Sequence, residues 1–151
     1  MSFHLSNLKM SFGYSAGDFL AGANLTYQLI KALSGTQCAF QEYQEALREL
    51  GCFQQVFMQV SRMVENPNLN PSTINAASHI VLSAMILIGD FLTKTQRYRE
   101  RLNGRESGNA ASDSWQKMGW VLFKKDELRA LKEALHVKLT SVSLLIDTAQ
   151  W

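Results

Sequence analysis

Little in this sequence interrupts a helix. It has two prolines, Pro67 and Pro71, and both fall in one short polar stretch. Proline removes an amide donor and clashes with the preceding turn, so the rest of the chain is left open to long helices. Cysteine is as scarce, at Cys38 and Cys52, which excludes a disulfide-built scaffold. Net charge is only +2, so no global field draws the chain to nucleic acid or to an anionic membrane. No run of eighteen or more apolar residues suggests a membrane span. The start, Met1 to Met10, lacks the apolar core and small-residue cleavage site of a signal peptide. These absences lead us to expect a cytoplasmic protein.

Chemistry-bearing motifs are missing too. His4, His79 and His136 show no zinc spacing. There is no nucleophile elbow and no phosphate-binding glycine loop. The acidic residues form no inward-facing Glu-x-x-His pair. The expectation is a protein that is not an enzyme, with no cofactor, no metal, no small-molecule substrate and no specific nucleic acid.

What is present reads as helix. The chain has 151 residues, 46% of them hydrophobic, enough for one domain with its own core. Ser15-Ala-Gly-Asp18 resembles a capping box that opens a first helix. This helix runs to about Leu33, and Gly35 suits a left-handed cap. Ala16, Leu20, Ala23, Tyr27 and Ile30 share a face, broadened by Leu25, Leu29 and Leu33. A second helix spans about Thr36 to Val64, with Phe40, Tyr43, Leu47, Leu50, Phe57, Val60 and Val64 as its stripe. Glu42, Glu45, Arg48 and Glu49 lie mostly off that stripe. After the break from Glu65 to Pro71, Asn70 fits an N-cap with Pro71 at the first helical position. The third helix runs from about Ser72 to Leu102. It is apolar nearly all round from Ile80 to Leu92, the mark of a central helix. A polar loop from Asn103 to Ser114 follows. The last helix is expected in two pieces, Trp115 to Phe123 and a longer one capped by Asp126. Leu128, Leu131, Leu135, Val142, Leu145 and Ile146 supply its buried side.

The expected fold is all-α: an antiparallel bundle of four main helices, the last one kinked. Residues 1–9 are expected to form a flexible extension, and residues 10–151 a single domain, the N-terminal part of a longer protein. Phe40, Leu47, Val81, Met85, Ile88, Leu131 and Leu135 are expected in the core.

Some residues do not fit a bland bundle. Asp90 interrupts the most apolar helix, either as an exposed partner of Lys94 or as a buried switch charge. His79 is expected at the edge of the core. Lys94, Arg97, Arg99, Arg101 and Arg105 cluster at one helix end. There they complement the macrodipole, or bind lipid phosphates or a phosphorylated partner. Gly13, Gly17 and Gly22 suit close helix packing. Trp115 and Trp120 suggest a partner surface.

Two runs carry a resemblance. Ser11-Phe-Gly-Tyr-Ser-Ala-Gly-Asp-Phe19 resembles the opening of many fungal multidomain proteins. Trp115-x-x-x-x-Trp120-x-Leu122-x-Lys-Lys-Asp-Glu-Leu128, continuing to Leu145, resembles the end of the same domain. Phe40-x-x-Tyr43-x-x-x-Leu47 and Phe91-x-x-x-x-x-x-Tyr98 sit where the middle helices would lie. The chain thus resembles the N-terminal helical domains of fungal NLR-like (STAND) proteins, in the HeLo-like cell-death group. The resemblance implies a four-helix bundle that works as a signalling module. Induced oligomerisation, with itself or a homotypic domain, would release the first helix onto an anionic plasma membrane. Phe19, Leu20, Ile30 and Leu33 would be the membrane-active residues. Lys94, Arg97, Arg101, Trp115 and Trp120 would be a partner or lipid surface. Asp18 and Lys31 depart from the long apolar first helix of the strongest HeLo pattern. The alternative is a self-associating scaffold with no membrane action.

Cys38 and Cys52 lie in one expected helix, about 21 Å apart at 1.5 Å per residue. A disulfide needs Cα atoms within about 7 Å. Both are expected to titrate as free thiols in denaturant without reductant. An intramolecular disulfide in the mass spectrum would overturn the single-helix reading.

Overall fold

The structure is a computed structural model that describes residues 15–34, 41–105 and 120–149; at 42, 99, 101–105, 120–124 and 149 only the backbone is described. Four helices account for almost all of it: α1 (Ala16–Ser34), α2 (Gln41–Met63), α3 (Pro71–Arg105) and α4 (Trp120–Ala149). No strand occurs among the described residues. The all-α bundle expected from the sequence is the fold.

The helix starts are chemically specified. The Ser15 amide donates to Asp18 Oδ2 at 2.9 Å, the return half of a capping box. Asn70 opens α3: its Oδ1 accepts from the Ser72 amide at 2.9 Å, and its carbonyl accepts from Ile74 at 3.1 Å. Pro71 then takes the first helical position, where no amide is needed. In the preceding turn, Asn66 Oδ1 accepts from the Asn68 amide at 2.9 Å.

Two boundaries differ from expectation. α3 continues through Asn103, Gly104 and Arg105, three residues into the polar stretch read as a loop. α4 is one continuous helix from Trp120, with no interruption at Asp126. Asp126 is no cap; its exposed carboxylate lies 3.7 Å from Arg129, one turn on. Gly35, Phe40, Cys38, the 1–9 extension and residues 106–114 lie outside the described residues.

The helices form a ring. α1 packs on α2 and α3, α4 packs on the same two, and α2 meets α3 more lightly across the middle. Glu45 pairs with Lys132, and Glu49 with His136. Four residues forward on α2 match four forward on α4, so these neighbours run parallel. That is the relation of the second and fourth helices in a bundle whose directions alternate along the chain.

The core is continuous. Phe19, Leu29, Leu33, Leu50, Phe53, Phe57, Val81, Ile88 and Leu135 are fully enclosed, each contributing about 1.5–3 kcal/mol by burial. Of the expected core residues, Val81, Ile88, Leu131 and Leu135 are buried. Leu47 and Met85 are half-buried against the core.

On α1 the buried face is rotated from the expected one. Phe19, Gly22, Ala23, Thr26, Leu29 and Leu33 point inward, while Leu20 is 51% and Tyr27 47% exposed. The cause is Gly22. A Cβ built there would lie 2.6 Å from Phe57 Cδ1 and closer still to Cε1. The ring of Phe57 rests on the α1 backbone, which only glycine permits. Thr26 fits the same face because its hydroxyl donates to the Gly22 carbonyl at 2.8 Å. Gly17 makes no such approach: its nearest neighbour is Ser15 Oγ at 3.7 Å.

Gly22→Ala is expected to destabilise the bundle by about 1–3 kcal/mol, the usual cost of overpacking. Phe57 is fully buried and has little room to retreat. Urea unfolding would measure the loss, and adding Phe57→Leu should recover part of it. An unchanged midpoint for Gly22→Ala would show that the helices separate freely there.

Candidate functional site

The sequence-expected residues do not converge on one place. Phe19 and Leu33 are fully buried, Leu20 is exposed and Ile30 is half-buried. On α3, Lys94 and Arg97 are exposed, and Lys94 Nζ lies 3.8 Å from Glu127 Oε1 of α4. The Arg101 and Trp120 side chains and the whole of Trp115 lie outside the described residues. Arg99 and Arg105 are described in backbone only.

Two single residues are corrected. Asp90 is exposed, so it is not a buried switch charge. His79 is exposed rather than packed at the core edge. By length and composition, Pro71–Tyr98 is apolar enough to cross a membrane, with a mean hydropathy of 1.7 over its best window. A core helix passes the same test, and α3 buries Ile74, Ala77, Val81, Ala84, Ile88, Phe91 and Leu92 within the bundle.

Among the described residues, one surface feature was not singled out by the sequence. α2 and α4 flank a cleft of about 520 Å³. Glu45, Arg48 and Glu49 line it from α2; Lys132, Glu133, His136 and Val137 line it from α4. Glu45 with Glu49, Lys132 with His136 and Glu133 with Val137 are spaced i, i+4, and Arg48 is i+3 from Glu45, so successive turns deliver side chains to the same side.

Two polar rungs cross this cleft. Lys132 Nζ donates to Glu45 Oε1 at 2.7 Å, and Gln41 Nε2 donates to Oε2 of the same carboxylate at 2.7 Å. His136 Nδ1 and Glu49 Oε2 are 3.0 Å apart. Glu49 Oε1 is buried and has no hydrogen-bond partner among the described residues. The hydrogen bond from Lys132, then that from Gln41, hold the Glu45 carboxyl below its ordinary value, against a smaller opposing effect of desolvation.

The arrangement joins α2 to α4. Lys132 and Glu45 form a charge-assisted pair across one rung. Among the described residues, no group of three or more His, Cys, Asp or Glu could hold a metal ion. The i, i+4 spacings of Glu45 and Glu49, and of Lys132 and His136, were visible in the sequence. The parallel course of α2 and α4 follows from an alternating bundle; that the two are neighbours was not visible.

Because the Glu45 pKa is depressed in the folded state, its stabilisation is present above the ordinary value of 4.5. It is lost as pH falls through the lower, folded value. The gap between wild type and Glu45→Gln in urea midpoint should therefore be largest near neutrality and shrink in acid. A gap that stays constant from neutral to strongly acidic pH would show that the ionised pair contributes nothing.

Compared with protein-family models, curated proteins and solved structures, the chain finds no match.

Proposed function

We propose that this chain is a non-enzymatic signalling module of the kind found at the N-terminus of fungal NLR-like proteins, acting by induced self-association. α1 is the element that leaves the bundle, and an anionic membrane is its target. In this reading the module is cytoplasmic and is recruited to the plasma membrane when clustered.

The observation that supports this is how α1 sits. Among the described helices it is the shortest, at 19 residues, and it packs chiefly on α2 and α3, while α2, α3 and α4 also pack on one another. Its charged residues are Asp18 and Lys31, one near each end. Between them, Phe19 and Leu29 face inward while Leu20 and Tyr27 face out. Between Asp18 and Lys31 a freed α1 would present apolar side chains on both sides over about 18 Å, which suits a helix lying in the membrane interface and is short of the hydrocarbon thickness of a bilayer. Asp18 would have to remain at the interface, because a carboxylate is costly in hydrocarbon.

A scaffold that never touches lipid is the second reading. It is favoured by Val137 and Leu144 of α4, which are 64% and 65% exposed.

A disulfide staple separates the two. A Cβ at Gly89 of α3 would lie 3.4 Å from Leu25 Cδ2 of α1, so these positions face each other, and Leu25→Cys with Gly89→Cys is the staple to build, its closure checked by loss of both free thiols. The background would carry Cys38→Ala and Cys52→Ala. With the module clustered by a fused oligomerising domain, the oxidised staple should abolish leakage of anionic liposomes, and reduction should restore it. No leakage from the clustered, reduced protein would reject the membrane reading in favour of the scaffold.

A further inference from the structure

We infer that the α2–α4 cleft is where a second copy of this chain docks, by a two-fold contact that pairs Arg48 of each copy with Glu133 of the other. The inference rests on the proposed self-association only for the identity of the partner.

The two polar rungs inside the cleft are made within the chain. Lys132 holds Glu45 and His136 meets Glu49. Two charges are left, one on each lip. Arg48 is exposed on α2 and Glu133 is exposed on α4. Both line the cleft, and among the described residues neither forms an ion pair. The influence of Arg48 is felt at Glu45, one turn back on its own helix.

The rungs also fix the level of these two residues. Since Glu49 is opposite His136, Arg48 is level with position 135. Glu133 is two residues below that, about 3 Å along the axis. One lip is thus positive and the other negative at nearly the same height. A two-fold axis brings residue i of one copy to residue j of the other, and j to i. Opposite lips therefore satisfy that symmetry in a single encounter. A uniformly acidic or basic peptide would be repelled by one lip while attracted to the other.

Apolar surface lies beside the charges. Val137, 64% exposed, lines the cleft itself. Ala130 and Leu144, seven residues to either side, are also exposed. Apolar residues at every seventh position make one seam along a helix. An apolar strip with a charged rim is the usual anatomy of a protein interface.

The test is sedimentation velocity on the full chain over a concentration series, with far-UV circular dichroism to confirm each fold. Wild type should dimerise. Arg48→Glu alone, or Glu133→Arg alone, should weaken the dimer by about tenfold or more, because each places like charges together twice. The double variant should recover the wild-type dimer. So should an equimolar mixture of the two single variants, since each then supplies the charge the other needs.

Wild type that stays monomeric at millimolar concentration would overturn this inference and leave induced self-association, which a fused oligomerising domain supplies, standing. A wild-type dimer unchanged by either single substitution would overturn the surface and leave self-association standing. Loss in the single variants without recovery in the double or the mixture would overturn the Arg48–Glu133 pairing. The liposome result has no bearing on any of these outcomes.

Discussion

The bundle depends on one close approach, Phe57 of α2 lying on the backbone of α1 at Gly22. It sets the rotation of α1 and so decides which of its residues are inside. Phe53 sits next to it, ring centroids 6.1 Å apart and tilted by 52°, within the favourable range for aromatic pairs. With this wedge seated, Phe19, Leu29 and Leu33 fall into the core, and Leu20 and Tyr27 face out. Tyr27 is not idle there: the Lys31 ammonium stands 5.5 Å from its ring centre, a contact worth about 0.5–1 kcal/mol at an exposed site.

The buried polar groups of the helices follow a second constraint. Thr26 and Thr95 return their hydroxyls to carbonyls four residues back, at 2.8 and 2.9 Å. Ser61 donates three residues back, at 2.6 Å. Each side chain is satisfied by its own helix and asks nothing of its neighbours. Ser78 differs: its hydroxyl is buried with no partner among the described residues. It marks a place where the packing tolerates an uncompensated polar atom, at a cost of about 1–3 kcal/mol.

The sequence was legible where local chemistry decides. Asn70 and Pro71 announce the start of α3, and Ser15 with Asp18 the start of α1, because caps act over three residues. Val81, Ile88 and Leu135 were readable as core because long apolar periods leave no other face to bury. The face of α1 was misread because hydropathy gives weight to Leu20 and Tyr27 and none to Gly22, whose contribution is the absence of a side chain. The cleft was illegible for a different reason. Glu45, Arg48 and Glu49 look like a solvated face until α4 is known to run beside α2, and no spacing within either helix states that.

The parallel course of α2 and α4 has a consequence for sliding. Advance α4 by one turn, about 5.4 Å, and one acidic position still meets a basic one, while the other two groups go unmatched. The ladder therefore tolerates three registers at graded cost and forbids none. Ionic rungs at a surface cleft contribute little. Pulling Leu135 out of its enclosed site costs several times more, by the scale of about 2–5 kcal/mol for emptying such a position. The hydrophobic layer thus acts as the lock between these helices, and the ionic ladder as a vernier whose markings only record where the lock has closed.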